Sequence, residues 1–303
     1  MTDPGAAPRA YLLVTHMGRP AAAKTARFAA ERLQASGVEV RVPVHEAAGL
    51  DVPGLVTVTA EPGAAAGCEL VVVVGGDGTL LRGAELARGS GAALLGVNLG
   101  HVGFLAEAEP EDLSAVVDRL VARAYTVEAR LTVQVIVLRD GVEHASSWAV
   151  NEASVEKRSR ERMIELIVEV DGRPLSRWGC DGVVCATPTG STAYAFSAGG
   201  PVVWPEVQAL LMVPLSAHAL FARPLVVAPT SVLAMELTAT TSPAVLWCDG
   251  RRTVDLQAGD RVEVRRSDEP LRLARIHQAP FTDRLVRKFD LPVTGWLGRT
   301  ERP

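Results

Sequence analysis

Hydrophobic and polar positions follow two different patterns along this chain. Up to about residue 125, short apolar runs alternate with stretches in which apolar residues recur every three or four positions. The runs are Tyr11–Thr15, Val38–Val42, Leu70–Val74 and Ala92–Val97, and the helical stretches lie near Ala22–Ala35 and Pro110–Ala124. Such alternation is typical of βαβ units that build a parallel sheet. The first part of the chain is therefore predicted to be an α/β domain.

From Tyr125 onward the period changes to that of strands broken by turns. The candidate strands are Leu131–Leu138, Ser147–Val150, Ile164–Val170 and Val245–Val254. Asp-Gly pairs at 140–141, 171–172 and 249–250 predict hairpins, because both residues tolerate positive φ. A helical pattern returns at Pro280. We predict an α/β domain over residues 1–125, a β-rich domain over 126–278, and a terminal segment, 279–303, that packs back on the first domain.

Composition and charge narrow the class of protein. The 303 residues, 48% of them hydrophobic, suffice for two cores. A net charge of −4, without a basic stripe, argues against nucleic acid or a membrane as partner. No apolar run approaches the ~18 residues of a membrane span, and the first residues lack a signal-peptide pattern, so we expect a cytoplasmic protein. Four unpaired cysteines and six scattered histidines predict neither a zinc site nor a Ser/His/Asp hydrolase.

The segment from Leu70 to Leu81, LVVVVGGDGTLL, carries the strongest chemical signal. Its valines predict a strand buried in a parallel sheet, followed by glycines whose backbone can approach a phosphate closely. Asp77 is the one ionisable group in that turn. A carboxylate beside phosphates either binds Mg²⁺ or accepts a proton from a nucleophilic hydroxyl, and both roles belong to phosphoryl transfer. The alternative is a tight strand-to-helix turn that uses the glycines for steric reasons alone.

Two further segments offer groups that could bind a ligand. Residues 179–201, GCDGVVCATPTGSTAYAFSAGGP, form a loop rich in glycine and hydroxyl groups that could hold a ribose and a phosphate; otherwise they form a capped domain junction. Asn151-Glu152 can grip a vicinal diol through donor and acceptor atoms, or can be a turn with a solvated acid. Phe104, in GHVGFL, lines a nucleotide pocket or belongs to the core.

Taken in order, these segments closely resemble the NAD kinase family. The matching stretches are GGDGTLL at 75–81, NLGHVGFL at 98–105, NEAS at 151–154, DGVVCATPTGSTAY at 181–194, SAGGP at 197–201, ARPLVV at 222–227 and FTDRLVRKF at 281–289. GGDG alone is shared with lipid kinases and phosphofructokinases, whereas TPTGSTAY is the discriminating segment. The resemblance covers nearly the whole chain.

The resemblance implies a Rossmann-like α/β domain, a β-sandwich-like domain, and an active site in the cleft between them, in a homodimer or homotetramer. It also implies transfer of a phosphoryl group to the 2′-hydroxyl of the adenosine ribose of NAD. Asp77 would be the general base, worth about 10²- to 10⁴-fold in rate. The residues that would bind the dinucleotide are Asp77, Gly78, Arg82, Phe104, Asn151, Glu152, Arg162, Asp181, Thr192, Ala193, Tyr194, Ala195, Phe196 and Ser197.

The expected cofactor is Mg²⁺ or another divalent cation, because the chain has no Gly-Lys-Ser/Thr loop to screen the phosphates of ATP. We expect the donor's own oxygens to supply most of its ligands. Thr79 resembles family members that also accept polyphosphate. Cys180 stands where the family commonly has glycine, which places a thiol beside the pocket wall. This cysteine strains the backbone if the position needs positive φ, and otherwise it alters the pocket shape only modestly; we expect the second outcome. The alternatives are a non-catalytic NAD-binding regulator and a lipid kinase that shares GGDG.

Overall fold

The protein is described from a computed structural model, which covers residues 9–98, 103–105, 113–276 and 280–293. The chain forms two compact units. The first takes in residues 1–129 and 272–303, and the second takes in residues 130–271. The last strand and the terminal helix thus belong with the amino-terminal part of the chain.

A seven-stranded sheet forms the centre of the first unit. Its strands are β1 Ala10–Thr15, β2 Glu39–Pro43, β3 Val56–Val58, β4 Leu70–Val74, β5 Ala93–Val97, β6 Thr126–Arg130 and β19 Leu271–Arg275. They lie in the order β3-β2-β1-β4-β5-β19-β6, and the pairings among β1 to β5 and between β5 and β19 are parallel. This is the predicted α/β architecture. Every residue of β1, β4 and β5 is buried, as the uninterrupted apolar runs require.

The described residues of the first unit also form helices. They are α1 Pro20–Ala35, α2 Val44–Leu50, α3 Asp77–Ala87, α4 Leu113–Val121 and α6 Phe281–Phe289. Helix α1 begins at Pro20, where the missing N–H costs nothing, and it buries an alanine-rich stripe. Helix α4 buries Leu113, Val116, Val117 and Leu120, which is the stripe predicted from its spacing. The start predicted for this helix, Pro110 to Glu111, lies outside the described residues.

The strand order places a switch point at the adjacent ends of β1 and β4. The chain runs outward from β1 through β2 to β3 and then returns to β4 on the other side of β1. Thr15 and Val74, the last residues of these two strands, are register partners. In open parallel sheets, ligands bind outside the carboxyl ends of the strands at such a point. The GGDG turn follows Val74 directly.

The second unit is a sandwich of two six-stranded sheets. Its strands are β7 Val133–Arg139, β8 Val142–Ala149, β9 Glu152–Lys157, β10 Ile164–Val170, β11 Arg173–Cys180, β12 Gly182–Ala186, β13 Leu210–Leu215, β14 Leu225–Val227, β15 Leu233–Leu237, β16 Ala244–Cys248, β17 Arg252–Leu256 and β18 Arg261–Arg266. One sheet has the order β11-β10-β15-β18-β7-β8 and the other β14-β13-β12-β9-β16-β17. Residues of both sheets share one hydrophobic core, so the predicted β-sandwich is confirmed.

The three predicted Asp-Gly turns are confirmed. Asp140, Asp171 and Asp249 have φ of 52°, 53° and 53°, and the glycine that follows each of them also has positive φ. Each pair connects two neighbouring antiparallel strands. Because the first turn passes directly into β8, that strand begins at Val142, five residues earlier than the period alone predicted.

Two stretches interpreted as turn or loop are strands. Glu152 begins β9 and is buried, so it is not a solvated acid in a turn. Residues 182–186, within the segment read as a loop, form the fully buried strand β12. Both differences have the same cause: these residues pair with β13 and β16, which are distant in sequence. A short 3-10 helix, Thr189–Thr192, and helix α5, Tyr194–Ser197, follow β12.

Candidate active site

Asp77 is the first residue of helix α3, directly beyond buried strand β4. Gly75 and Gly76 connect the strand to the helix. A Cβ at Gly75 would lie 2.6 Å from Thr79 Oγ1, so only glycine fits that part of the turn. A Cβ at Gly76 or Gly78 would meet no described atom within 4 Å, so these two glycines face open space. The backbone beside Asp77 is therefore accessible, and the amino end of α3 favours an anion near it.

The carboxylate of Asp77 faces a second piece of backbone. The N–H of Phe104 donates to Oδ2 at 3.3 Å, and the N–H of Leu105 donates to Oδ1 at 3.4 Å. A Cβ at Gly103 would lie 2.5 Å from Oδ1, so glycine permits this approach. Both N–H groups orient the carboxylate without supplying a proton to it, and its remaining lone pairs can accept a hydrogen bond from another group.

Phe104 itself was predicted to line a nucleotide pocket or to belong to the core. Its side chain is 9% exposed and packs against two rings of α6, with centroids 5.7 Å from Phe281 and 5.9 Å from Phe289. Its carbonyl oxygen accepts a hydrogen bond from Arg284. The ring therefore belongs to an aromatic cluster within the first unit, while its N–H lies at the site.

Arg82 is held by a buried acid. Nη2 donates to Glu46 Oε1 at 2.5 Å and to the carbonyl of Thr15 at 2.6 Å. Glu46 is fully buried, and its other oxygen accepts the N–H of Thr15 at 2.7 Å. Burial raises the pKa of Glu46, and the charge of Arg82 opposes that rise. Glu46 thus partly neutralises the charge of Arg82. The Arg82 side chain, at the end of β1, is 26% exposed.

In the second unit, several groups converge on the backbone of Val150 and Asn151. Asp249 Oδ1 accepts the N–H of Asn151 at 2.7 Å, and Oδ2 accepts the N–H of Val150 at 2.9 Å. Thr187 donates its hydroxyl to the carbonyl of Val150 and its N–H to the carbonyl of Asn151. A Cβ at Gly190 would overlap the Asn151 backbone, so the turn can approach only because this residue is glycine. The position of Asn151 is therefore tightly determined.

Glu152 is buried, and one of its oxygens lacks a partner. The side chain is 8% exposed, and Oε2 makes no hydrogen bond with any described residue. Burial raises the pKa of Glu152 to about 8, the nearby Asp249 carboxylate adds to the rise, and the N–H of Tyr194 opposes it. A buried polar atom without a partner is costly in a folded protein and marks a place where a ligand can supply the missing hydrogen bond.

Asp249 is a residue that sequence reasoning assigned chiefly to a turn. It does form the hairpin turn, yet its side chain is 7% exposed and reaches back to β8 and β9. Arg252 donates to Oδ2 at 3.0 Å and lies over the ring of Trp148, 4.6 Å from its centroid. Burial raises the pKa of Asp249, whereas the two N–H groups and Arg252 oppose that rise. Nothing in the local sequence distinguishes this acid from the other two Asp-Gly turns.

Residues 192–197 divide between exposed and buried positions. The rings of Tyr194 and Phe196 are 37% and 41% exposed, and Tyr194 shares a hydrogen bond with Glu156. Ala195 is fully buried in a core cluster, so only its backbone can face a ligand. Each short helix contains a hydrogen bond from a hydroxyl group to its own backbone: Thr192 donates to the carbonyl of Thr189, and Ser197 donates to the carbonyl of Tyr194. Ala193 joins the two helices.

The remaining predicted residues have different surroundings. Asp181 makes an ion pair with Lys157, 2.5 Å from Nζ. Arg162 is exposed in the turn between β9 and β10. Cys180 pairs with Ile164 inside strand β11, so its backbone is extended and needs no positive φ. The expectation that its thiol lies beside a pocket wall is wrong, because strand alternation turns the side chain into the sandwich core with Trp178.

Two kinds of feature are absent from the described ranges. No group of three or more His, Cys, Asp or Glu side chains there could hold a metal ion. Over the same residues, no helix is both long and apolar enough to cross a membrane.

Two family models match the chain in its own order. The ATP-NAD kinase N-terminal domain matches residues 12–125, and the ATP-NAD kinase C-terminal domain matches residues 150–276. A protein named NAD kinase 2 from Streptomyces avermitilis is 62% identical over 292 residues, covering 96% of this chain and 97% of that protein. The NAD kinase of Thermobifida fusca is 61% identical over 300 residues, covering 96% of this chain and 92% of its own length.

Two solved structures have a similar fold. Yeast NADH kinase, in complex with NADH, has a TM-score of 0.88 at 22% identity and covers 96% of this chain and 90% of its own; at that identity the likeness shows the fold alone. An NAD kinase from Archaeoglobus fulgidus, in complex with ATP, has a TM-score of 0.72 at 27% identity and covers 93% of this chain and 99% of its own.

Proposed function

This chain belongs to the NAD kinase family and is an NAD kinase, and we propose that it phosphorylates the 2′-hydroxyl of the adenosine ribose of NAD. The observation that carries the proposal is the placement of Asp77. Its carboxylate stands at the amino end of α3, at the switch point of a parallel sheet, with open backbone at Gly76 and Gly78. This placement supports a phosphate site beside a group that can accept a proton.

Asp77 acts as general base in this proposal. Its carboxylate accepts the proton of the 2′-hydroxyl while that oxygen bonds to the terminal phosphorus of ATP. The bond from that phosphorus to the bridging oxygen breaks, and ADP leaves with the electron pair. The N–H groups of Phe104 and Leu105 hold the carboxylate in one orientation, so that a lone pair stays directed at the hydroxyl.

The second unit supplies the dinucleotide contacts in this proposal. Glu152 Oε2, buried and without a partner, would accept or share the proton of a ribose hydroxyl, and the Asn151 amide would bind its neighbour. The exposed rings of Tyr194 and Phe196 offer faces for a base. Asp181 would accept from the nicotinamide carboxamide in exchange for its ion pair with Lys157. The backbone and hydroxyl groups of Thr192, Ala193, Ala195 and Ser197 would complete the surface.

Arg82, Arg162 and Phe104 have smaller proposed roles. The exposed part of Arg82 would face the pyrophosphate, although Glu46 and the carbonyl of Thr15 already accept hydrogen bonds from its Nη2. Arg162 is exposed and free to turn towards a phosphate in the same way as other surface arginines. Phe104 would act through its backbone N–H, since its ring packs against α6.

Mg²⁺ is part of the proposal, and it would neutralise charge on the transferring phosphoryl group. Asp77 and the donor's phosphate oxygens are oxygen groups of the kind that Mg²⁺ prefers. Because the described residues offer no three-ligand cluster, the donor would provide most of the coordination. Three points stay predictions from the sequence: the use of polyphosphate, which Thr79 suggests, a homodimeric or homotetrameric state, and a cytoplasmic location.

The test is NADP formation by the purified protein with NAD, Mg²⁺ and either ATP or polyphosphate, read with an NADP-specific dehydrogenase. Asp77→Asn should lower kcat by about 10²-fold or more, because the amide cannot accept the proton, while the Kd for NAD stays within about threefold. Asp118→Asn, an exposed position on α4 in the same unit, is the control. Unchanged turnover in Asp77→Asn would remove the general-base role; NAD binding without turnover by the unaltered protein would identify a silent regulator.

A further inference from the structure

We infer that Arg284 is a positioning residue for phosphoryl transfer, acting on Asp77 through the peptide group between Phe104 and Leu105. The inference rests on the proposed function, in which Asp77 is the general base. It adds a residue of the carboxyl-terminal helix α6, 207 positions further along the chain (284 − 77), to the groups that determine how the base is held.

The contact runs through a single peptide group. Arg284 Nη1 donates to the carbonyl oxygen of Phe104 at 2.9 Å. The same peptide group carries the N–H of Leu105, which donates to Asp77 Oδ1 at 3.4 Å. A guanidinium on one side and a carboxylate on the other therefore share one polarised amide. The N–H of Phe104 adds a parallel bond to Oδ2 at 3.3 Å.

Within the described residues, backbone groups of the segment 103–105 contact both Asp77 and two arginines. Gly103 contributes no side chain, and its close approach to Asp77 depends on that absence. Arg275 Nη1 donates to the carbonyl of Leu105 at 3.2 Å, so the carbonyl groups of Phe104 and Leu105 each accept a hydrogen bond from an arginine. Arg275 is itself paired with Glu128, with 2.5 Å between Nε and Oε1. The N–H groups face the base, and the carbonyl groups face cations.

Helix α6 is fixed to the same segment by its rings. Phe281 and Phe289, at the two ends of α6, both pack on the ring of Phe104. Arg284 lies between them in sequence, and its guanidinium reaches the Phe104 carbonyl from the same helix. The packing of the rings and the hydrogen bond are separate contacts, so the arginine can be changed while the rings keep the helix docked.

A cation on the carbonyl has a physical consequence for the base. Charge-assisted hydrogen bonds are roughly twice as strong as neutral ones, and hydrogen bonds in a chain polarise one another. Arg284 therefore makes the Leu105 N–H a better donor to the Asp77 carboxylate and prevents rotation of the peptide group. Without it, the carboxylate loses a fixed direction relative to the hydroxyl it must deprotonate. A misplacement of about 1 Å in such a site costs on the order of 10²-fold in rate.

The experiment compares Arg284→Met with Arg284→Lys in the full chain, using NADP formation, the Kd for NAD by calorimetry, and thermal unfolding. Arg287→Met is the matched control, because Arg287 is exposed on the same helix. Arg284→Met should lower kcat by about 10- to 100-fold while the Kd for NAD changes less than about threefold. Arg284→Lys should recover a large part of that loss, because its ammonium can still donate to the Phe104 carbonyl. Arg287→Met should keep the kcat of the unaltered protein.

Two results would overturn the inference. The first is a kcat for Arg284→Met within threefold of that of the unaltered protein. The second is a parallel loss of kcat, NAD affinity and thermal stability that lysine does not reverse, which is the behaviour of a residue that only supports the fold. Failure of the unaltered, folded protein to form NADP is a separate result, and it would contradict the proposed function instead.

Discussion

The buried carboxyl group of Glu152 makes a prediction about the pH dependence of folding. Its pKa in the folded protein is about 8, against an ordinary value of 4.5, and the first cause is burial. In the unfolded chain the group is ionised above about pH 5, whereas in the folded protein it holds its proton to about pH 8. The folded state therefore binds one more proton between these values, and stability falls as pH rises through that range.

The magnitude follows from the size of the shift. One pKa unit corresponds to about 1.4 kcal/mol, so a shift of about 3.5 units costs about 5 kcal/mol when the group is fully ionised above pH 8. Between pH 6 and pH 8 the expected loss from this group alone is about 2 kcal/mol. Glu152→Gln keeps the shape and removes the charge. Its free energy of unfolding should exceed that of the unaltered protein increasingly as pH rises.

The assay is urea unfolding without ligands at pH 6, 7 and 8, followed by near-ultraviolet circular dichroism. The difference between Glu152→Gln and the unaltered protein should grow by about 2 kcal/mol over this range, since only the glutamate must ionise. Glu143→Gln, at an exposed position on β8 in the same unit, is the control and should show a constant difference. A constant difference for Glu152→Gln as well would refute the assignment of a buried, protonated carboxyl group.

Two further predictions concern structure elsewhere in the two units. Gly190→Ala should weaken NAD binding at least tenfold and lower the free energy of unfolding by about 1–3 kcal/mol, because its Cβ would overlap the backbone of Asn151. Calorimetry measures the change in NAD binding. Gly179→Ala is the control and should bind NAD normally, because its Cβ would meet only a methionine methyl at 3.9 Å. Burial alone would raise the pKa of Glu69, but hydrogen bonds from Arg9, Arg123 and Tyr125 hold it at about 2. Glu69→Gln should therefore lower the free energy of unfolding by about 2–3 kcal/mol at pH 7, and this difference from the unaltered protein should disappear as pH falls from about 4.5 towards 2. Equal stability of both proteins at pH 7 would contradict this.

Local chemistry made much of the fold predictable. An uninterrupted apolar run such as Leu70–Val74 is most stable where both of its faces are buried, which is the middle of a covered parallel sheet. The Asp-Gly pairs predicted three hairpins, because positive φ is a property of the residues themselves. The position of Asp77 could be predicted from the strand before it, since a buried parallel strand places the residues that follow it at the carboxyl edge of the sheet. The order of the motifs was then sufficient to indicate the family.

Tertiary packing decided what the candidate site residues contact. Glu152 is buried because strands β12 and β16 flank β9, and β16 lies about 90 residues further along the chain. Cys180 faces the core because its neighbours set the register of β11. Arg82, assigned by resemblance to substrate phosphates, is partly neutralised by Glu46 on another helix. Hydrophobic period and turn chemistry carry no information on such partners.

The sequence alone determined the buried strands of the first unit, the three Asp-Gly turns and the two-part architecture, because strand period and turn chemistry act over a few neighbouring residues; the motifs in their order indicated the family. Only the tertiary structure decided that Asp249, one of three similar turn acids, reaches the N–H of Asn151, 98 positions away. It alone brought Arg284 to the carbonyl of Phe104, 180 positions away. Hydrogen bonds form between atoms about 3 Å apart wherever the chain brings them, so their partners are set by how the elements pack and not by their own sequence.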